Sequence, residues 1–313
     1  MNIVFMGTPE FAVPCIKALI DSGENVSAVF TQPDKPKGRG YKLAPPPVKE
    51  LALTHNIPVY QPNSLKKGDD AEFALKKLIE ISPDLIIVVA YGKILPKEIL
   101  NVPKLYCINV HASLLPKYRG AAPIQWSVLN GEKETGVTTM LMSEGLDTGD
   151  VLLKSSTLIG DDETASELHD RLSLLGADLL LKTLQAVKDN DITPIKQDDS
   201  LSSYVPILTK DLCPIDFNKS ALEIHNHIRG LSEWPCATAS LNDKRLKFYK
   251  STIIENLGKN KVSGEIIKSD GLIIACGDGN AVSILELQAD GGKRLKTSDY
   301  LRGNKIEVGT ILK

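Results

Sequence analysis

The sequence lacks the long apolar runs, paired cysteines and one-sided charge that mark several classes of protein. No apolar run approaches the roughly 20 residues that a membrane helix needs, and Met1-Asn2-Ile3-Val4-Phe5-Met6-Gly7 lacks the basic residues of a signal peptide. The 5 cysteines are scattered without a Cys-x-x-Cys pair, which favours reduced thiols and argues against a metal site. The net charge of −2 carries no signal for nucleic acid or membrane. We therefore expect a cytoplasmic protein with no membrane segment and no metal.

The length of 313 residues predicts two domains. Residues 1–189 alternate strand and helix signals, with predicted strands at Ile3–Met6, Val26–Phe30, Asp84–Ala90 and Tyr106–Val110. The run from Asp84 is apolar on both faces, which is typical of a central parallel strand. This order predicts an α/β fold with an open, mostly parallel, Rossmann-like sheet. Ligands of such sheets bind at the carboxyl ends of the strands.

A glycine after the first predicted strand raises the alternative of a dinucleotide-binding turn. Gly7-Thr8-Pro9 lacks the Gly-x-Gly-x-x-Gly spacing of that motif. We interpret it as a turn that begins a helix, with Thr8 as the N-cap and Pro9 at the first helical position. Further along, leucines at helical spacing predict a long helix over 166–189, interrupted by Gly176.

The last third of the chain has a different character. Residues 190–206 are polar and predict a linker. Residues 207–313 contain one predicted helix, Ser220–Gly230, and then short β-rich runs separated by glycine and asparagine. This spacing predicts a smaller, OB-like β-barrel domain. Its 16 basic and 13 acidic side chains give a modest positive bias that by itself decides nothing.

The densest chemical signal is a group of three polar residues. Asn109 and His111 end a predicted strand and point to the same face, because side chains alternate along a strand. Asp147 lies in a predicted tight loop that could return a carboxylate to that face. An amide that stabilises an oxyanion, an imidazole that moves protons and a carboxylate that orients it suit acyl transfer to an amine. Each residue alone also fits an ordinary turn, cap or core position, and it is the combination that favours catalysis.

The same region resembles the signature of the folate-dependent formyltransferases. The resemblance rests on Asn-x-His-x-Ser-Leu-Leu-Pro-x-Tyr-Arg-Gly from Asn109 to Gly120, followed by Asp-Thr-Gly-Asp at 147–150. It implies that Asn109, His111 and Asp147 are catalytic, and that 10-formyltetrahydrofolate is the co-substrate, without a metal. It also implies a tetrahydrofolate-binding segment, consisting of Ser113, Leu114, Leu115 and Pro116.

Other segments resemble the branch of this family that acts on initiator methionyl-tRNA. They are the opening Gly-Thr-Pro-x-Phe-Ala and two C-terminal motifs, Arg229-Gly230-Leu231-x-x-Trp234-Pro235 and Leu285-x-Leu287-Gln288 with Gly292-Lys293-Arg294. The run Val89–Pro96 resembles a family segment that lines the folate cleft. The resemblance thus covers nearly the whole chain. It implies that the acceptor is the α-amino group of methionine on initiator tRNA and that residues 207–313 bind the tRNA. We also expect a monomer.

A basic segment from Asp34 to Leu43 contains four cations, one anion, an aromatic residue and two glycines. Such a composition suits phosphate binding, although an isolated segment of this kind is more often a solvated loop. Its resemblance to the family loop Pro-x-Gly-Arg-Gly-x-Lys-Leu, associated with the acceptor end of tRNA, implies tRNA contacts from Lys37, Arg39 and Lys42.

Two alternatives remain open at this point. A formyltransferase for a purine-pathway amine or an amino sugar would share the catalytic face, but would need neither the basic segment nor the second domain. A non-catalytic RNA-binding protein could retain an enzyme scaffold. The intact set of Asn109, His111 and Asp147 argues against that second alternative.

Overall fold

The structure, a computed structural model, describes residues 1–37, 42–242 and 244–313. The chain divides into two units. The first comprises residues 1–120, 136–157 and 169–204, and the second comprises residues 121–135, 158–168 and 205–313. Segments of the two units alternate along the chain. The domain boundaries expected at residues 189 and 207 stay a prediction. Within the described ranges, no helix is long and apolar enough to cross a membrane.

The described residues form strands and helices in the alternating order expected of an α/β chain, followed by a β-rich region. The strands are β1 (Asn2–Gly7), β2 (Asn25–Phe30), β3 (Lys35–Lys37), β4 (Lys42–Ala44), β5 (Val59–Tyr60), β6 (Leu85–Val89), β7 (Tyr106–His111), β8 (Arg119–Gly120), β9 (Glu134–Leu141), β10 (Val151–Leu158), β11 (Tyr204–Val205), β12 (Ala237–Leu241), β13 (Lys244–Ile254), β14 (Ile266–Lys268), β15 (Ile273–Ala275), β16 (Ala281–Ala289) and β17 (Leu295–Lys296). The helices are α1 (Val13–Asp21), α2 (Pro47–Thr54), α3 (Asp69–Ile81), α4 (Lys97–Leu100), α5 (Pro123–Leu129), α6 (Ala165–Lys188), α7 (Ala221–Gly230) and α8 (Thr297–Gly303).

The first unit is built around an open sheet with the strand order β10-β9-β7-β6-β1-β2-β5. The five strands from β7 to β5 are parallel, and β9 pairs antiparallel with β7. All five residues of β6 are buried, as their continuous apolar sequence predicts. The expected Rossmann-like sheet is confirmed, and β7 ends at the edge where ligands of such sheets bind.

The turn after β1 differs from its prediction. Thr8 does not cap a helix, since Pro9 occupies the N-cap of the short 3-10 helix Glu10–Ala12. The Thr8 hydroxyl instead donates to the carbonyl oxygen of Tyr91 at 3.0 Å and accepts from the Gln32 backbone N–H at 3.3 Å. Its partners follow β6 and β2, the two strands that flank β1. A hydroxyl that bridges neighbouring strand ends is therefore unavailable for capping.

The long helix α6 runs through Gly176 without a break. A Cβ at Gly176 would lie 3.2 Å from Cγ1 of Val110 in β7, so a glycine allows the helix to approach that strand closely. Val110 occupies the face of β7 opposite to Asn109 and His111. The helix thus supports the strand from behind its polar face.

The second unit is a curled antiparallel half-barrel with the strand order β12-β13-β16-β15-β14, to which β17 adds beside β16. Helix α7 begins with a capping box between Ser220 and Glu223. Its apolar face packs into one core with the sheet, in which Ile224, Ile228 and Phe248 are almost fully buried. The small β-rich domain predicted from the short runs is confirmed.

A second capping box begins α6. The Glu167 carboxylate accepts from the Thr164 N–H at 2.9 Å and from its hydroxyl at 2.8 Å, while the Glu167 N–H donates back to that hydroxyl at 3.3 Å. The other carboxylate oxygen accepts from Nζ of Lys250 in β13 at 2.6 Å. Burial alone would raise the pKa of Glu167, but the hydrogen bonds from Lys250 and Thr164 and the lysine charge outweigh it and lower the pKa to about 2.

This geometry predicts an acid-sensitive contribution to stability. A carboxylate whose pKa falls on folding stabilises the protein above its unfolded pKa of 4.5, and the contribution disappears as the pH drops towards about 2. We expect Glu167→Gln to lower the unfolding midpoint near neutral pH by about 1–3 °C, a small effect because the side chain is 48% exposed. The difference from the unsubstituted protein should shrink in thermal scans below pH 4.5. The exposed Glu255→Gln serves as control, and a deficit that stays constant with pH would contradict the assignment.

Candidate active site

His111 is the last residue of β7, and its ring is buried between two oxygen atoms. Its Nε2 lies 2.9 Å from the carbonyl oxygen of Tyr118. Because a carbonyl only accepts hydrogen bonds, Nε2 carries the hydrogen. Its Nδ1 lies 3.7 Å from Oδ2 of Asp147. This arrangement leaves Nδ1 as the nitrogen that can accept a proton, beside a carboxylate that can balance the resulting charge.

Asp147 reaches this position through an unusual backbone conformation. Its φ is +54°, in the left-handed region that residues other than glycine adopt infrequently. In this conformation Oδ2 accepts from the backbone N–H of Gly120 at 2.8 Å. Strained residues of this kind cluster at functional sites, where surrounding contacts keep them in place. The loop predicted from the sequence therefore does bring the carboxylate to His111.

Asn109 lies two residues before His111 on the same face of β7. It pairs with Val88 of β6 on one side and with Met140 of β9 on the other. The side chain is half-buried, and within the residues that the structure describes its carboxamide forms no hydrogen bond. The amide group is thus available to donate to an oxygen of a bound molecule.

The segment 113–116 follows His111 and is held by its own polar groups. The Ser113 hydroxyl donates to the carbonyl oxygen of Lys117 at 2.7 Å. The Thr138 hydroxyl donates to the Ser113 carbonyl at 2.6 Å and accepts from the Leu115 N–H at 3.2 Å. Ser113 and Leu115 are fully buried. These two residues therefore shape the loop, while the half-buried side chains of the other two retain exposed surface.

The basic segment of the sequence is only partly described. Strands β3 and β4 pair antiparallel, with Lys37 in register with Lys42. Arg39 lies outside the described residues. Asp34, the anion of the segment, binds Nζ of Lys49 at 2.8 Å, and hydrogen bonds from Gln61 and Lys49 lower the pKa of its carboxyl group. The negative charge of Asp34 is therefore already compensated within the protein.

Cys107 shares the face of β7 with Asn109 and His111, but it is unsuited to nucleophilic catalysis. Burial raises the pKa of its thiol to about 12, and the thiol, unlike the thiolate, is a poor nucleophile. Among the described residues, no group of three His, Cys, Asp or Glu side chains is arranged to hold a metal ion.

Two further residues of the site were not recognised from the sequence. Arg119 is 2% exposed and Gln197 is 7% exposed. The Gln197 carboxamide accepts from the guanidinium of Arg119 and donates to the backbone carbonyl groups of Asp147 and Gly149. A buried arginine requires acceptors, but the position of Arg119 in the sequence does not reveal that one of them comes from residue 197.

The fold and this site define a group-transfer enzyme of the α/β class, and comparison with known proteins identifies its family. The formyl transferase family matches residues 1–184, and the formyl transferase C-terminal domain matches residues 207–305. The chain therefore belongs to the formyl transferase family. It is 55% identical over 314 residues to the methionyl-tRNA formyltransferase of Alkaliphilus oremlandii, covering 100% of this chain and 99% of that protein. It is likewise 55% identical over 315 residues to that of Clostridium novyi, with 100% of both chains covered.

Solved structures agree with the fold. An N-formyltransferase from Helicobacter canadensis in complex with folinic acid and dTDP-3-aminofucose superimposes with a TM-score of 0.67 at 23% identity, over 91% of this chain and 98% of that one. HypX from Aquifex aeolicus in complex with tetrahydrofolic acid superimposes with a TM-score of 0.65 at 17% identity, over 99% of this chain and 50% of that one. At these identities the likeness concerns the fold alone.

The Asp147 loop leaves no room for a side chain at Gly149. A Cβ there would lie 1.7 Å from the backbone oxygen of Leu141, which cannot rotate away. We expect Gly149→Ala to shift the loop and move the Asp147 carboxylate relative to His111. A displacement of about 1 Å can lower turnover about 100-fold. The measurement is the rate of formyl transfer at a temperature where the variant is folded.

Gly303→Ala is the control for this substitution, since a Cβ at that position meets no atom within 4 Å. It should retain the turnover and the unfolding midpoint of the unsubstituted protein. Full activity of the Gly149→Ala variant would show that the loop tolerates displacement and that its geometry is not limiting.

Proposed function

We propose that this protein transfers the formyl group of 10-formyltetrahydrofolate to the α-amino group of methionine on initiator methionyl-tRNA, for translation initiation, as a cytoplasmic monomer. The observation that carries the proposal is the 55% identity to methionyl-tRNA formyltransferases over the full chain, including both matched domains. The basic segment favours a large, anionic acceptor.

The proposed chemistry begins with attack of the methionine amine on the formyl carbon. An α-amino group has a pKa of about 7.7–8.0, so a useful fraction is neutral and nucleophilic near neutral pH. Negative charge then develops on the formyl oxygen. The carboxamide of Asn109, which has no other hydrogen bond in the described part of the chain, would donate to that oxygen.

Proton transfer is assigned to His111. Its Nε2 is held by the Tyr118 carbonyl, so Nδ1 would take the proton from the attacking amine and pass it to the departing folate nitrogen. Asp147, 3.7 Å from Nδ1, would orient the ring and balance its positive charge. The formyl group arrives activated on the folate, and the protein supplies orientation, oxyanion stabilisation and proton transfer.

We assign the folate to the cleft beside Ser113, Leu114, Leu115 and Pro116. This segment begins two residues after His111, and one residue spans at most about 3.6 Å, so it lies next to the proposed catalytic face. The exposed surfaces of Leu114 and Pro116 would contact the folate, while the buried Ser113 and Leu115 maintain the conformation of the loop. The tRNA would contact Lys37, Arg39 and Lys42 together with residues 207–313.

The catalytic assignment predicts that Asn109→Ala, His111→Ala and Asp147→Ala each lower turnover at least about 100-fold while the protein remains folded. The measurement is formylation of charged initiator tRNA with 10-formyltetrahydrofolate. His55→Ala, which removes an exposed histidine, should have normal activity. Near-normal turnover of a folded His111→Ala variant would refute the proposed mechanism.

The same assay separates the two alternative functions. Charged tRNA, an amino sugar nucleotide and a purine-pathway amine are offered at equal concentrations with the same formyl donor. Formylation of a small amine without formylation of tRNA would identify a different acceptor. Binding of tRNA without any formyl transfer would identify a non-catalytic RNA-binding protein.

The basic segment predicts a selective effect on tRNA. A guanidinium binds a phosphate or a base edge through two hydrogen bonds, which lysine cannot reproduce. We expect Arg39→Ala, and also Arg39→Lys, to raise the KM for charged tRNA without changing affinity for a folate analogue. Because phosphate contacts release counterions, the tRNA affinity should also depend less on salt in Arg39→Ala, whereas Arg39→Lys keeps the charge and should keep the salt dependence. Lys76→Ala, an exposed cation on α3, is the control, and unchanged tRNA kinetics across a salt series would exclude Arg39 from binding.

A further inference from the structure

A buried guanidinium lies beside the proposed catalytic loop. Arg119 is 2% exposed, and arginine is rarely buried to this extent unless it is paired. Its Nη2 donates to Oδ1 of Asp199 at 2.8 Å, and its Nη1 donates to the hydroxyl of Tyr204 at 3.1 Å. Its Nε and Nη2 both donate to Oε1 of Gln197, at 3.1 and 2.9 Å. The guanidinium thus fixes the oxygen end of one buried carboxamide.

This contact also determines where the nitrogen end of Gln197 points. A guanidinium can only donate hydrogen bonds, so the amide oxygen must face Arg119 and the amide nitrogen must face away. Nε2 donates to the backbone oxygen of Asp147 at 2.9 Å and to that of Gly149 at 2.7 Å. Both amide hydrogens are therefore used, and both hold the loop that presents the Asp147 carboxylate.

The residue that follows Arg119 contacts the Asp147 carboxylate itself. The backbone N–H of Gly120 donates to Oδ2 of Asp147, the oxygen that faces His111. These contacts hold Asp147 at a φ of +54°, in the left-handed region that is less favourable than the helical or extended regions for residues other than glycine. Arg119 thus holds the loop through its side chain, by way of Gln197, and Gly120 holds it through its backbone N–H.

We propose that Gln197, oriented by Arg119, is a positioning residue that keeps the Asp147 carboxylate against His111; the effect on turnover rests on the proposed function. Gln197 touches neither His111 nor the reacting atoms and acts through the backbone of the Asp147 loop. It should therefore affect the catalytic rate and leave the binding of both substrates nearly unchanged.

The first experiment measures formyl transfer to charged initiator tRNA. Gln197→Met removes the hydrogen bonds at similar length, and Gln197→Glu keeps an oxygen for Arg119 but places a carboxylate against two carbonyl groups. We expect kcat to fall about 10- to 100-fold in both, with KM for tRNA and for folate within about twofold. Gln185→Met, an exposed glutamine of α6, is the matched control and should behave as the unsubstituted protein. If Gln197→Met fails to fold, Gln197→Glu decides the question.

A double-substitution cycle distinguishes positioning from general stability. If Gln197 acts through Asp147, Gln197→Met should lower turnover no more than about twofold in a protein that already carries Asp147→Ala, because coupled residues are not additive. A second full loss of 10- to 100-fold, or unchanged turnover in both single variants, would overturn the proposal.

Amide hydrogen exchange at Gly120 provides a readout that needs no activity. Its N–H is bound to Asp147 Oδ2, so displacement of the loop should accelerate its exchange at least about tenfold in both Gln197 variants. An inactive unsubstituted protein would refute the proposed function, and the exchange rates would still test the positioning. Unchanged exchange would overturn the role of Gln197 even in an active enzyme.

Discussion

The site depends on the backbone pairing of β7, which lies between β6 and β9. Asn109 is in register with Val88 of β6, and His111 is in register with Thr138 of β9. A slip of one residue would turn both polar side chains to the opposite face of the sheet, because strand side chains alternate. That opposite face is occupied by α6, which packs closely at Val110 through Gly176. The pairing of three strands and the close approach of one helix therefore determine which side chains face the cleft.

Three consecutive residues hold the rest of the site in place. The carbonyl of Tyr118 accepts from the His111 ring, the side chain of Arg119 binds Gln197, and the N–H of Gly120 binds the Asp147 carboxylate. Backbone groups are effective for this purpose, since they have no rotamer freedom to lose. One short segment thus positions an imidazole, a carboxylate and the loop that carries the carboxylate.

The fold does not by itself specify the acceptor. It is shared, over 91% of this chain, with a protein solved in complex with a sugar nucleotide, so this fold alone does not specify tRNA. The acceptor is inferred from identity that continues through the second matched domain, residues 207–305. The half-barrel there provides a separate core and a separate surface, on which contacts to a large substrate can be built without altering the catalytic strand.

Local chemistry explains what the sequence determined by itself. Continuous apolar runs specified β6 and β7, and Ser220 with Glu223 specified the start of α7, because each signal lies within a few residues of the structure it produces. The spacing of Asn109, His111 and Asp147 likewise identified a candidate site, since a strand end and a tight loop are local features. The prediction for Thr8 was wrong, because partners after two neighbouring strands offered its hydroxyl better hydrogen bonds than a helix N-terminus did.

The tertiary structure decided the contacts between residues distant in the chain. Gln197 lies 50 residues from Asp147 and 78 residues from Arg119, and no periodicity or motif links these positions. Folding also determines which ring nitrogen of His111 carries the hydrogen, because it brings the carbonyl group of Tyr118 to Nε2. Hydrogen bonds of this kind depend on the assembled sheet, because burial and direction, which make them selective, are properties of the packed chain.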